Sequence, residues 1–225
     1  MKLARRLAFA SSVFLLLSVA VRPAAAQDYK VEKTTDAPPA GISAPIQATL
    51  GGDVLKVAGS SGVLCEVWLR KSIPAAATPD QELGVTFGQI SVGTLIGVIQ
   101  FPADVIDYRE QHIHAGVYTL RYGLLPNDGN HMGQAPQRDF LLVSPISADA
   151  DPSTMTFDQT VALSRQTTGT KHPSVWSLGP PDNATLPAIV HEQDVDAWDL
   201  EFNLPIEGSG ATPVALVVIG HTQGT

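Results

Sequence analysis

Short apolar segments recur along most of the chain, separated by Gly, Pro and Asp. In Tyr118–Leu124 and in Trp198–Leu204 every second residue is apolar or aromatic. A period of two is typical of strands with one buried face. Pro213–Gly220 is apolar almost throughout, which favours a strand covered on both faces. The predicted strand segments are 45–50, 62–70, 84–101, 115–125, 138–144, 172–178, 186–192, 197–204 and 213–221.

This pattern predicts an all-β fold, built as an antiparallel β-sandwich, with a jelly-roll arrangement as one form of it. One segment, Pro152–Gln166, has helical spacing instead, because Phe157, Val161 and Ser164 recur three to four residues apart. Ser153 or Thr154 can cap its N-terminus. We therefore expect one short helix beside the strands.

The N-terminus has the pattern of an export signal. Three basic residues precede a short apolar run that ends in small residues, which predicts a signal peptide over 1–26, cleaved after Ala26. The Arg5-Arg6 pair leaves two export routes open, the general secretory and the twin-arginine pathway. Residues 27–43 are polar and aperiodic, and predict a flexible lead-in to a single domain over 44–225. We expect a soluble protein in the periplasm or outside the cell, with no membrane association after cleavage.

The charge of the chain limits the classes of partner that it can bind, and its cysteine content bears on its chemistry. The formal net charge is −8, and the basic 1–26 segment makes the remaining chain still more acidic. Such a surface repels nucleic acid and anionic lipid, which leaves a small molecule, a glycan or a protein as partner. Cys65 is the only cysteine, and its place in an apolar alternation predicts a buried, inert thiol.

A polar connection over residues 125–138 is the first candidate site. Hairpin loops usually have two to five residues, so one of this length favours a functional role. Its candidate ligand-binding residues are Asp128, His131, Arg138 and Asp139. Neighbouring residues in a strand face opposite sides, so Arg138 and Asp139 do not pair with each other. They can instead hold the loop in place as a clamp, with Asp139 accepting hydrogen bonds from turn amides or forming an ion pair with Arg121. No standard catalytic motif is present, so we expect a binding or accessory domain without catalysis of its own.

Metal binding is the second hypothesis. His112 and His114 point to the same side of an extended segment, a spacing at which two imidazoles can bind one ion. With His131 and Met132 they form a nitrogen and thioether set that suits copper. Zinc would instead use a carboxylate, for which Asp107, Asp128 and Asp139 are the candidates.

A hydrolase or lyase with its site in the 125–138 loop is the third hypothesis. His131 would act as general base, oriented by Asp128 or Asp139, and the catalytic set is otherwise unassigned. A run of acidic residues lies near the C-terminus, where a solvated strand face is expected rather than a calcium site. The run consists of Glu192, Asp194, Asp196, Asp199 and Glu201.

The block DYREQHIHAGVYTLRYGLLPNDGNHMGQAPQRDFLLV (107–143), followed by GTKHPSVWSL (169–178), resembles a group of exported bacterial β-sandwich proteins. That group has no established activity. Within the block, AGVYTLRY is similar to a strand found in several secreted β-sandwich modules. The resemblance implies an exported β-sandwich and assigns no catalytic residue.

Overall fold

The structure, a computed structural model, describes residues 28–127, 137–183 and 185–221. Two helices occur there, α1 (Ala44–Gln47) and α2 (Phe157–Thr168). The strands are β1 (Lys30–Thr34), β2 (Leu50–Gly59), β3 (Gly62–Arg70), β4 (Leu95–Phe101), β5 (Val105–Ile106), β6 (His112–Ile113), β7 (Gly116–Leu124), β8 (Asp139–Pro145), β9 (Val175–Gly179), β10 (Ala188–Glu192), β11 (Ala197–Ile206) and β12 (Gly210–Ile219).

Ten of these strands form one continuous sheet in the order β1-β2-β3-β4-β7-β8-β9-β12-β11-β10, and every ladder in it is antiparallel. Strands β5 and β6 form a separate hairpin. The predicted all-β, antiparallel fold class is confirmed. The sheet curls until its edge strands β1 and β10 come into contact, so the two facing layers belong to one nearly closed, barrel-like sheet.

The main core fills the inside of this sheet. The alternating segments supply it as predicted, with Leu120 and Tyr122 from β7 facing Phe202 and Leu204 from β11 in one buried cluster. Full burial of such a side chain stabilises the fold by about 1.5–3 kcal/mol. Cys65 is part of the cluster, and burial raises the pKa of its thiol to about 12. The prediction of a buried, inert thiol is confirmed.

A second apolar layer covers part of the outer face. Ile46 of α1 packs with Trp68 and Val98, while Val161 of α2 packs with Phe140. Strands β4 and β8 are therefore buried on both faces. Because both faces are covered, most residues of these strands are apolar, which explains the hydrophobic runs Leu95–Ile99 and Phe140–Val143.

Helix α2 is the helix predicted from the sequence, but its cap differs from the prediction. Thr156 accepts a hydrogen bond from the N–H of Gln159, whose side chain bonds back to Thr156 in a capping box, so neither Ser153 nor Thr154 is the N-cap. The helix ends at Gly169, where φ is 64°. Neither helix in the described ranges is long and apolar enough to cross a membrane.

Three predicted segments have a different structure. In the predicted strand segment 84–101 only β4 (Leu95–Phe101) is a strand, and 84–94 is mostly turns. Residues 45–50 begin as helix α1, because Ser43 caps the N–H of Ile46 and Pro45 occupies the first turn, where a proline needs no hydrogen bond. Residues 27–43, predicted as a flexible lead-in, contribute strand β1, which pairs with β2 from Lys30↔Ala58 to Thr34↔Val54. Backbone hydrogen bonds hold this polar strand in the sheet, so its side-chain composition did not indicate a strand.

An ion pair fixes the outer layer to β7. Arg121 and Asp149 are both fully buried, and their bidentate contact has Nε–Oδ2 and Nη2–Oδ1 distances of 2.6 and 2.8 Å. Arg121 also donates to the carbonyls of Gly93, Asp151 and Ser153. Each guanidinium nitrogen thus has an acceptor, as a buried cation requires.

Candidate binding sites

The described end of the 125–138 connection is held by Arg138. Its Nε donates to the carbonyl of Leu125 at 2.9 Å, and its Nη1 lies 2.8 Å from a carboxylate oxygen of Glu82. The side chain therefore closes the base of the connection and joins it to the 80–88 segment. These are the contacts of a loop clamp.

Asp139 points to the other side and is almost completely buried. It accepts the backbone N–H groups of Thr86 and Phe87, both at 2.8 Å, and the hydroxyl of Tyr122 at 2.6 Å. The prediction that Asp139 accepts turn amides is confirmed, whereas Arg121 pairs with Asp149 instead. We assign Arg138 and Asp139 to holding the connection in place.

The other residues proposed for this connection, Asp128, His131 and Met132, lie outside the described residues. Their roles as ligands, metal donors or general base stay predictions. The described flanks of the connection adjoin Leu124, at the C-terminal end of β7, while His114 precedes the N-terminal end of the same strand. These two ends are about 27 Å apart at the usual rise of a strand.

The structure does bring His112 and His114 together, and it places Asp104 beside them. Oδ2 of Asp104 lies 3.4 Å from Nδ1 of His114 and 3.9 Å from Nε2 of His112. Oδ1 accepts the N–H of Ala115 at 2.7 Å, and this hydrogen bond lowers the pKa of Asp104, which favours the carboxylate. All three side chains are exposed at the surface.

Asp107, one of the carboxylates considered for zinc, is not part of this cluster. It is fully buried and accepts the N–H groups of Arg109, Gln111 and Val175 together with the side-chain amide of Gln111. Burial raises its pKa, against the effect of these hydrogen bonds. Asp107 therefore anchors the β5–β6 hairpin to β9. Asp104 was missed because only the pairing of β5 with β6 brings it to the histidines.

A cavity of about 660 Å³ opens between the edge of β1 and the free half of β11. Strand β10 pairs with β11 only as far as Ala188↔Glu201, so within the described chain 202–206 has no ladder partner on that side. The cavity is also lined by Ile206, which forms an isolated bridge with Ile73. It lies at the end of the sheet opposite to His112 and His114.

The cavity has an apolar floor and a charged rim. Leu55, Leu69, Phe202 and Ile206 are among the apolar residues that line it. The charged lining residues are Lys33, Asp53, Arg70, Lys71 and Glu207. Lys33 and Asp53 form an exposed ion pair of 2.7 Å, and Nζ of Lys71 donates to the carbonyl of Ala48.

No signal in the sequence indicated this cavity. Its lining comes mainly from β1, β2, β3, β11, the start of β12 and the segment before β10, and the two ends of this set are adjacent only because the sheet nearly closes. Lys33 in particular belongs to the segment predicted as a flexible lead-in. On β1 it follows Val31 at a spacing of two, so both belong to the inner face, and Val31 packs on the core.

The acidic run is not a uniform solvated face. Glu201 is buried and accepts the N–H groups of Asp182 and Asn183, so it fixes the 182–183 turn. Asp199 is partly buried, and its Oδ1 has no hydrogen-bond partner in the described chain. Burial, together with the nearby charge of Glu192 and other acids, raises the pKa of Asp199 to about 6.

Asp199→Asn is therefore expected to stabilise the protein at pH 8 and to have little effect at pH 4. The folded protein holds this proton more tightly than the unfolded chain, so stability falls as the pH rises from about 4 to about 6. Asparagine removes that loss. Because solvent reaches part of the carboxyl group, the gain at pH 8 should be about 1–2 kcal/mol.

Urea unfolding at both pH values measures this difference. Asp194→Asn, which neutralises an exposed acid of the same run, is the matched control and should show no comparable change with pH. Equal stability of the wild type and Asp199→Asn at pH 8 would contradict the raised pKa.

Comparison of the chain with protein-family models, with curated proteins and with solved structures gives no match. The resemblance of the 107–143 block to exported β-sandwich proteins stays a prediction. Conclusions about function therefore depend on the geometry of this chain, and above all on its cavity and its histidine cluster.

Proposed function

We propose that this is an exported, non-catalytic binding protein that holds a small molecule in the cavity between β1 and β11. The cavity itself carries the proposal, because ligand sites usually occupy about 300–1,000 Å³ and often lie at the mouth of a closed sheet. The signal-peptide pattern of residues 1–26 supports a location in the periplasm or outside the cell.

The lining suggests the chemical class of the ligand. Leu69 and Phe202 offer an apolar surface on which a hydrocarbon or ring system can lose its contact with water. Three basic residues, Lys33, Arg70 and Lys71, line the cavity together with two acids, Asp53 and Glu207, so the lining has a net positive charge in a chain that is acidic overall. Arg70 donates to the carbonyl of Pro152, which leaves the two lysines as the cations at the rim. We infer an amphipathic molecule whose apolar body enters the cavity and whose single anionic group meets the lysines at its rim.

A dansyl-labelled undecanoate is a suitable probe, since it joins an apolar chain to a carboxylate and its fluorescence reports burial. Titration should show saturable binding of one probe per protein. Leu69→Trp should abolish binding, because the larger ring occupies the apolar floor. Lys33→Ala combined with Lys71→Ala should weaken binding at least about tenfold, since a hydrogen bond to a charged group contributes about 1.5–3 kcal/mol.

Lys56→Ala is the matched control for charge, because Lys56 pairs with Glu66 at 3.0 Å and does not line the cavity. It should bind the probe like the wild type. Thermal unfolding followed by circular dichroism should show that each variant retains the fold. Unsaturable binding, or a folded Leu69→Trp variant that binds normally, would refute the proposed site.

A further inference from the structure

The geometry points to a second site, separate from the proposed cavity: Asp104, His112 and His114 together bind one divalent transition-metal ion, Zn²⁺ or Cu²⁺. Two imidazoles and one carboxylate are a recurrent set of protein ligands for zinc, with water completing the coordination. In the described chain this is the one cluster of at least three histidine, cysteine or acidic side chains whose ligand atoms meet closely.

The hairpin holds the two histidines on the same outer side. Ile113, between them, is fully buried in the main core, so the side chains on either side of it face outward. The two imidazole rings have a centroid distance of 5.2 Å. The backbone at His114 is fixed as well, because its carbonyl accepts the hydroxyl of Tyr118 at 2.8 Å.

Asp104 is oriented for the same role. One of its oxygens is held by the N–H of Ala115, which leaves the other directed at both imidazoles. The hydrogen-bonded carboxylate thus acts as a ligand whose position is already set. Asp107 adds to this order, because its hydrogen bonds tie the turn of the hairpin to β9.

The distances fit a metal ion after a small adjustment. The three ligand atoms lie within 4.8 Å of one another. Around a tetrahedral zinc ion with bonds near 2.0–2.1 Å, ligand atoms are about 3.3 Å apart. Because all three side chains are exposed, rotation about their χ angles can close a gap of up to about 1.5 Å without disturbing the core.

The donor set suits zinc, because it combines two imidazoles with a carboxylate. Cu²⁺ accepts imidazole and commonly binds a given nitrogen and oxygen site more tightly than Zn²⁺ does. Both ions should therefore bind at the same place, and the tests include each of them. The site is at the opposite end of the sheet from the cavity, so neither proposal depends on the other.

Isothermal titration calorimetry of the protein without a histidine tag tests the site, with ZnCl₂ and CuCl₂ in separate titrations. The wild type should bind one ion. His112→Ala, His114→Ala and Asp104→Asn should each lower the affinity more than about tenfold, since even the loss of a residue that only supports a metal ligand costs about 10–100-fold. In Asp104→Asn the amide oxygen can still accept the N–H of Ala115, so this variant removes charge and ligand strength while it keeps the local fold.

His172→Ala is the matched control, because it removes an exposed histidine outside the cluster and should leave binding unchanged. Zinc should also raise the unfolding temperature of the wild type and not that of His114→Ala, as expected for an ion that binds the folded state. Absence of one-to-one binding, or equal binding by His114→Ala and the wild type, would overturn the proposal. Loss of binding in His172→Ala as well would show nonspecific capture by surface histidines and would overturn it too.

Discussion

Asp149→Ala is expected to lower the free energy of unfolding by about 3–5 kcal/mol, the largest effect of any single change considered. The substitution leaves Arg121 charged and fully buried without its counterion. It also removes the closer of two acceptors of the Thr119 hydroxyl, Oδ2 of Asp149 at 2.6 Å, and leaves the carbonyl of Ser144 at 3.4 Å. Because a domain of this size is stable by about 5–15 kcal/mol, the variant should unfold at much lower urea concentrations than the wild type.

A double variant separates the loss of the pair from the effect of the buried charge that remains. Arg121→Met combined with Asp149→Leu removes both charges and keeps apolar volume, so the double variant should be more stable than Asp149→Ala alone. It should not regain full stability, because the carbonyls of Asp151 and Ser153 lose the Arg121 donor. A stability of Asp149→Ala within about 1 kcal/mol of the wild type would show that the pair contributes little.

Asp139→Ala is expected to cost about 3–4 kcal/mol. It leaves three donors unpaired, the N–H groups of Thr86 and Phe87 and the hydroxyl of Tyr122, and each buried group without a partner costs about 1–3 kcal/mol. Urea unfolding monitored by tryptophan fluorescence measures the loss.

Tyr122→Phe provides the control, because it removes one donor together with its hydrogen bond and leaves the other two bonds to Asp139 in place. Its cost should be about 1 kcal/mol. If Asp139→Ala proved no less stable than Tyr122→Phe, the two backbone hydrogen bonds would not contribute, and our assignment of Asp139 to a structural role would be wrong.

The strands that alternate strictly were predictable from sequence, because burial of one face of a strand imposes a period of two. Tyr118–Leu124 and Trp198–Leu204 carry that period, and both supply the main core. Strand β1 was not predictable, because it lies at an edge and is held by its backbone ladder. The near closure of the sheet depends on the contact between β1 and β10, which no local pattern records.

The candidate sites, too, were predictable only where a local sequence pattern indicated them. The spacing of His112 and His114 was sufficient to place both imidazoles on one side, and the structure confirms it. Asp104 is eight residues before His112, so its approach required knowledge of the hairpin register. Prediction of the cavity would have required the order of the whole sheet, since its residues come from both ends of that order. Local patterns therefore indicated one partial site, and the assembled sheet supplied the rest.

Strands β10, β11 and β12 have few backbone links to the rest of the sheet. Strand β12 pairs with β9 at only two ladder positions, Leu216↔Leu178 and Ala215↔Gly179. Strand β11 forms one isolated bridge, from Ile206 to Ile73. Within the described chain, no ladder joins β10 to β1. Apolar burial must therefore hold this three-stranded unit in place. Hydrophobic stabilisation weakens on cooling. The boundary between this unit and β1, which borders the cavity, should therefore loosen in the cold more readily than the ladders on either side of it.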